Sequence, residues 1–228
     1  MGWSMTMQRG LSPAVTSLLA VIGITLLSDS AMATLLSPGA TVAPGNTQSP
    51  NGASLIVDSQ PRPFVSVDGT SFSGTLRTRV YTNDPGNPFG ANALTFTYLL
   101  ANNGPDALER LVTLSFRGYQ VDVGVNNTPA NGGVGGELPV SVDRSVTGKV
   151  VGWDWSGGSG VVAGGNSTLL VLHTNGIVFE PVTNVIINGS VATVSSFSPY
   201  FPEPTSMAVL SVATLGLLAR RRLNPASR

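Results

Sequence analysis

The stretch GTLRTRVYT, residues 74–82, decides the fold class because its side chains alternate in character with a period of two. Leu76 and Val80 fall on one face of an extended chain, whereas Arg77 and Arg79 fall on the other. This alternation is typical of a β-strand with one buried and one solvated face. We therefore predict a half-buried strand here, with the arginines on its wet side.

Segments further along the chain repeat the alternation. In ALTFTYLLA, residues 93–101, large side chains alternate with threonines, and in GKVVGWDW, residues 148–155, Trp153 and Trp155 flank Asp154. Each segment reads as a half-buried strand. Further strands are predicted at 110–116, 119–125, 167–173, 177–179, 182–187 and 190–196.

Turn residues between these runs complete the fold prediction. Asn188-Gly189 lies between two β-rich runs and predicts a hairpin, because both residue types adopt positive φ at little cost. We expect an all-β fold, a single antiparallel β-sandwich of jelly-roll or Ig-like type with about eight to ten strands in residues 54–200. The segment 34–53, rich in Pro, Gly, Ser and Asn, is predicted to be an extended leader that joins the sheet only near Leu55.

Composition excludes several classes of function. Between Thr34 and Pro202 there are seven basic and ten acidic residues, a net charge of −3, and the basic residues are scattered. Nucleic acid is therefore not an expected partner, since phosphate binding needs clustered Lys and Arg. The chain has no cysteine, which excludes disulfides, thiolate zinc sites and a cysteine nucleophile.

The first 33 residues have the order of a secretory signal peptide. Arg9 precedes an apolar run at 11–27, and Ala31 and Ala33 supply the small residues of a cleavage site. We predict a signal helix that takes the chain through the export translocon and is cleaved after Ala33. An uncleaved N-terminal anchor helix is the alternative.

The C-terminal residues 201–228 contain a proline-flanked acid, an apolar run and a basic cluster. In order, these parts are Pro202, Glu203 and Pro204, then residues 205–219, then Arg220, Arg221 and Arg222. As a helix the apolar run spans about 22 Å, which is short against a hydrocarbon core of about 30 Å. The arginines act as a stop-transfer signal that stays on the cytoplasmic side. We therefore expect a short hydrophobic helix that anchors the chain transiently in the membrane.

This order and spacing of triplet, apolar segment and arginines resembles the PEP-CTERM sorting tail of bacterial surface proteins. The resemblance covers about the last 25 residues. It implies that an exosortase-type membrane transpeptidase recognises the triplet, cuts near it and frees the body to the cell surface or an extracellular polysaccharide matrix. The central domain has a Phe89-Gly90 loop, an Asp143-Arg144-Ser145 triplet and a Gly-rich approach to a Leu-Leu-Val-Leu strand. In these features it resembles the bodies that commonly precede such a tail, most of which lack an assigned activity. The alternative is a C-terminal anchor helix with no processing.

Aromatic residues beside an acid suggest sugar binding in the middle of the chain. Trp153 and Trp155 could stack on sugar rings while Asp154 accepts hydroxyl hydrogen bonds, with Phe89 as a further loop aromatic. The period-two pattern also allows both tryptophans to point into the core and Asp154 to face water, and we favour that interpretation.

Catalytic and metal sites have little support in the sequence. His173, the single histidine, ends an apolar strand and is best explained as a structural residue. Asp84 and Asn87 supply the oxygens that calcium prefers, but Asp-Pro-Gly is first of all a turn. A glycoside hydrolase needs two facing carboxylates, and no motif selects a pair among the candidate acids. These acids are Asp122, Asp143, Asp154, Glu109 and Glu137.

The sequence therefore predicts an exported surface or matrix protein with no catalytic activity and no cofactor. An extracellular carbohydrate-binding module acting on exopolysaccharide is the alternative, and a secreted glycan-active hydrolase is the third interpretation.

Overall fold

The structure, a computed structural model, describes residues 34–46, 50–128 and 134–200. This part of the chain is all-β and contains no helix. Its strands are β1 (Thr34–Leu35), β2 (Thr41–Val42), β3 (Gly45–Asn46), β4 (Ser54–Asp58), β5 (Arg62–Val65), β6 (Ser73–Thr82), β7 (Thr95–Asn102), β8 (Arg110–Thr113), β9 (Val121–Asn126), β10 (Ser141–Arg144), β11 (Val151–Asp154), β12 (Leu169–Thr174), β13 (Phe179–Asn188) and β14 (Ser190–Pro199).

The strands form two sheets. The first has the order β1-β9-β12-β7-β6-β4, with β3 also paired to β9 and β5 also paired to β6. The second has the order β14-β13-β8-β11-β10-β2. All pairs are antiparallel except β3 with β9. The prediction of an all-β fold is confirmed for the described residues.

Strand β6 shows the alternation that its sequence predicts. Leu76 and Val80 are fully buried, whereas Arg77 and Arg79 on the opposite face are partly exposed. The longest hairpin joins β13 to β14, and Gly189 at its tip has a φ of 60°. Glycine adopts this left-handed conformation without the steric cost of a Cβ, as the Asn-Gly signal predicts.

The buried faces of the two sheets share one core. Its apolar cluster takes residues from both sheets, with Tyr98 and Phe96 from the first and Trp153 and Leu111 from the second. A hydrogen bond of 2.8 Å joins the Thr78 hydroxyl on β6 to the Ser196 hydroxyl on β14. The two sheets are therefore packed against each other.

The segment predicted to be a leader outside the sheets is part of them. β1 and β3 pair with β9 of the first sheet, and β2 pairs with β10 of the second. Leu36, directly after β1, is completely buried in the core. The prediction that this segment joins the sheet only near Leu55 is therefore wrong. Strands of two residues are too short to show a period of two, so pattern analysis does not detect them.

The predicted signal segment 1–33 and sorting tail 201–228 lie outside the described residues. Within the described ranges, no helix has the length and apolar character needed to cross a membrane.

Candidate functional site

The Trp-Asp-Trp segment at the end of β11 places its two indole rings in the core. Trp153 and Trp155 are 0% and 1% exposed, and Trp155 Nε1 donates a hydrogen bond of 3.1 Å to the Glu137 carbonyl. Stacking on a sugar requires an accessible ring face. Neither tryptophan offers one here, whereas Phe89, in the loop before β7, is half-buried. The structure therefore does not bring Phe89 and the tryptophans together as one exposed surface.

Asp154 lies on the opposite, outer face of the second sheet. Arg110 on β8 bonds Asp154 Oδ2 at 3.2 Å and Asp143 Oδ2 at 2.6 Å. Burial opposes ionisation of Asp154, but hydrogen bonds from Ser156 and the Arg110 charge outweigh it and lower the pKa of Asp154. Of the acids that the sequence offered for a hydrolase, Asp143 and Asp154 thus pair with the same guanidinium, that of Arg110.

Gly152, between these acids, makes room for the guanidinium. A Cβ at this position would stand 2.1 Å from Arg110 Nη2 and 2.9 Å from Asp143 Oδ2. The absence of a side chain lets the arginine lie flat across the sheet. This Arg-Asp-Asp group is a charged network on an open face rather than a cleft in which two acids could enclose a sugar.

A second polar group, buried this time, forms around His173 on β12. Its Nδ1 is 2.7 Å from Asp122 Oδ2 on β9, and its Nε2 is 3.5 Å from Asp84 Oδ2. The His173 side chain is 1% exposed. Desolvation opposes its protonation, but the hydrogen bonds and charges of Asp122 and Asp84 outweigh it and raise the pKa of His173. A second candidate acid, Asp122, thus serves as a partner of the histidine.

Sheet register explains why these groups meet. His173 stands opposite Asp122 on one side and Thr95 on the other. The Thr95 hydroxyl donates to Asp84 Oδ2 at 2.7 Å, and this hydrogen bond attaches the loop before β7 to the strands that carry Thr95 and His173. Sequence reasoning missed the group because its members lie far apart along the chain. A lone histidine at the end of an apolar strand was the only sign of it.

The weak calcium candidates Asp84 and Asn87 hold that loop closed. Asp84 Oδ1 accepts the Gly86 amide at 3.0 Å, and Asn87 Oδ1 accepts the Phe89 amide at 2.9 Å. Both side chains are buried, so their oxygens face protein donors. In the described part of the chain, no group of three or more His, Cys, Asp or Glu side chains is arranged to hold a metal ion.

A small open cavity lies where the turn between β4 and β5 approaches β13 and β14. Its volume is about 160 Å³, and it is lined by Ser59, Arg62, Pro181, Ser195, Ser196 and Phe197. Sequence reasoning did not single out any of these residues. No motif marks them, because three separate segments supply them.

The sorting residues lie outside the described residues, as do the signal cleavage residues Ala31 and Ala33. The sorting residues are Pro202, Glu203, Pro204, Arg220, Arg221 and Arg222. Comparison with protein-family models, with curated proteins and with solved structures found no match to this chain. Its function is therefore inferred from its own residues.

Proposed function

We propose that this chain is an exported protein of the cell surface or extracellular matrix that has no catalytic activity. The export translocon takes it out of the cytoplasm, its tail anchors it transiently in the membrane, and an exosortase-type transpeptidase recognises the Pro202-Glu203-Pro204 triplet and cuts near it. The body that remains is a single β-sandwich of jelly-roll or Ig-like type, in which the strand pairs are antiparallel except for β3 with β9. The shared core and the Thr78–Ser196 hydrogen bond between the sheets support this architecture.

The position of the strands relative to the two processing sites carries this proposal. The residues that follow the predicted cleavage site at Ala33 belong to the fold, since β1 pairs with β9 and Leu36 is buried in the core, and β14 ends at Pro199, shortly before the triplet at 202–204. Cleavage at both sites would therefore leave every described strand in the released body. This is the relation expected of a folded domain that lies between two cleavable sorting segments.

The intact mass of the protein recovered from its native host tests the proposal. We expect a mass that lacks residues 1–33 and the residues after the triplet, whereas Glu203→Gln should retain the tail and remain in the membrane fraction. Glu109→Gln, which removes an exposed carboxylate in the body, is the control and should be processed normally.

Two results would contradict the proposal. One is a wild-type protein of full mass in the cytosol, and the other is a Glu203→Gln protein whose mature mass is as short as that of the wild type.

A carbohydrate-binding role is the second candidate function. The open cavity beside Arg62 favours it, because the rings of Pro181 and Phe197 line this cavity next to Arg62. The hydrolase interpretation has less support, since Asp143 and Asp154 are held together by Arg110 on an open face.

A further inference from the structure

We propose that the cavity between Arg62 and the Pro181–Phe197 wall binds a carboxylate-bearing sugar residue of an extracellular polysaccharide. This inference relies on the proposed function only for the location of the ligand outside the cell. Binding itself is a property of the described body and does not depend on how the tail is processed.

The cation at this cavity, Arg62, has no acidic partner in the described part of the chain. Arg62 Nε donates to the Ser59 carbonyl at 3.0 Å, which fixes the plane of the guanidinium. Within residues 34–46, 50–128 and 134–200, its two Nη groups have no hydrogen-bond or ion-pair partner. A planar guanidinium with both Nη groups available is suited to bind a carboxylate through two hydrogen bonds.

The other arginines of the two sheets differ from Arg62 in this respect. Arg77 and Arg79 are both paired with Asp58, and Arg110 is paired with two aspartates. Arg144 is buried and donates only to backbone carbonyls. Arg62 is thus the sheet arginine that lines the open cavity and has no acidic partner among the described residues.

The floor of the cavity is held in place by internal hydrogen bonds. The Ser59 hydroxyl donates to the Gln60 carbonyl at 2.7 Å and accepts the Thr78 amide at 2.9 Å. The Ser196 hydroxyl bonds Thr78 at 2.8 Å. These two serines are therefore used by the fold, and the cavity keeps its shape without a ligand.

The remaining lining residues offer the groups that a sugar ring needs. Ser195 is exposed, and its hydroxyl has no partner among the described residues, so it can bond a sugar hydroxyl. Pro181 and Phe197 supply apolar walls, and the Phe197 ring is braced by an edge contact with Phe179 at 5.6 Å between centroids. Apolar rings pack against the C–H face of a sugar, while the hydroxyls and carboxylate meet the polar side.

The size of the cavity selects a small ligand. Its volume of about 160 Å³ is below the range of about 300 to 1,000 Å³ found for pockets of drug-sized ligands. One sugar residue, bound at the side or end of a chain, matches this size better than a long oligosaccharide. Weak binding per site is expected, and a polymer with many acidic residues would gain affinity only where it engages several copies of the chain at once.

Titration of the purified full-length chain in detergent micelles with galacturonate, galactose and acetate tests the proposal. We expect galacturonate to bind about tenfold or more tightly than galactose, which has no carboxylate for Arg62, and than acetate, which has no ring to pack against Pro181 and Phe197. Arg62→Gln should weaken galacturonate binding by a similar factor, and Ser195→Ala should weaken it less. Arg117→Gln, which removes an exposed arginine away from the cavity, is the matched control and should bind as the wild type does.

Several results would overturn the inference. Equal affinity for galactose would show that the carboxylate is not recognised, and equal affinity for acetate would show a plain anion site. An equal loss in Arg62→Gln and Arg117→Gln would show that net charge alone drives binding, and no binding of galacturonate would remove the site. None of these results bears on tail processing, which the mass measurement tests separately.

Discussion

Buried polar side chains decide how the loops are attached to the sheets. His173 contacts Asp122 on the neighbouring strand and Asp84 in the loop before β7, and all three side chains are almost fully buried. The second oxygen of Asp122 is buried with no hydrogen-bond partner in the described part of the chain. In such a low-dielectric site the attraction between a charged histidine and its carboxylates is strong, and its loss is costly.

The raised pKa of His173 predicts a stability that depends on pH. A raised folded-state pKa contributes stability that is fully present below the ordinary value of about 6.5 and is lost as the pH rises through the folded-state value. We expect the free energy of unfolding to fall across this window in the wild type, and to fall less in His173→Gln. Urea unfolding between about pH 5.5 and 8.5 measures both slopes.

Glu109→Gln is the control for this measurement, because it changes an exposed side chain outside the His173 group. Its slope should equal that of the wild type. If His173→Gln also keeps the wild-type slope, the histidine is not charged in the folded protein.

Two glycines allow neighbouring groups to approach a strand closely, because they have no side chain. Gly74 on β6 faces inward, and a Cβ there would stand 2.1 Å from the Ala101 carbonyl oxygen on β7 and 2.7 Å from the Phe64 ring on β5. Phe64 thus packs over the space that a side chain would fill, which is a recurring use of glycine within sheets. At Gly152 the nearest atom is instead the end of the flexible Arg110 side chain.

These two glycines predict unequal effects of the same substitution. Gly74→Ala forces backbone and a ring apart, so it should lower the free energy of unfolding by about 2 kcal/mol or more. Gly152→Ala only displaces Arg110 from partly exposed ion pairs, so it should cost about 1 kcal/mol or less. Urea unfolding of both variants gives the comparison, and a Gly152→Ala cost equal to or above that of Gly74→Ala would contradict this account of β6.

The molecule as a whole is tied together by its first described segment. Residues 34–46 contribute strands to both sheets, and Arg144 on β10 fastens this segment to its surroundings. Arg144 is 4% exposed and donates to the carbonyls of Leu36, Phe116, Tyr119 and Gly148 at 2.8–3.1 Å. Burial lowers the pKa of Arg144, and the four carbonyl acceptors replace the water that the guanidinium has lost.

Removal of this arginine should loosen the segment and destabilise the protein. Arg144→Met removes the side-chain donor from four carbonyls, of which the Phe116 carbonyl keeps the Tyr119 amide as a donor. We therefore expect a loss of about 3 kcal/mol or more in the free energy of unfolding. Hydrogen exchange should accelerate at the Leu36 and Gly39 amides, which bond Val121 and Arg144 carbonyls. Arg117→Met, at an exposed site, should change neither the free energy of unfolding nor the exchange rates. Unchanged exchange in Arg144→Met would contradict the role of Arg144 in holding residues 34–46.

What could be predicted from the sequence was the local part of the structure. Alternation at 74–82 and around Trp153 identifies strands and their buried faces, and Asn188-Gly189 identifies a hairpin, because period and turn chemistry are properties of neighbouring residues. The signal segment 1–33 and the sorting tail 201–228 were likewise inferred from the local order of residues. Both lie outside the described residues and stay predictions.

Only the tertiary structure decided which distant residues meet. The three strands of 34–46 are too short to carry a period, so only their pairing with β9 and β10 reveals them. Sheet register placed Asp122 beside His173, 51 residues away, and the meeting of three segments formed the cavity at Arg62. The physical reason is that alternation specifies the face on which a side chain lies, whereas its neighbours across the sheet depend on strand order and register, which long-range packing sets.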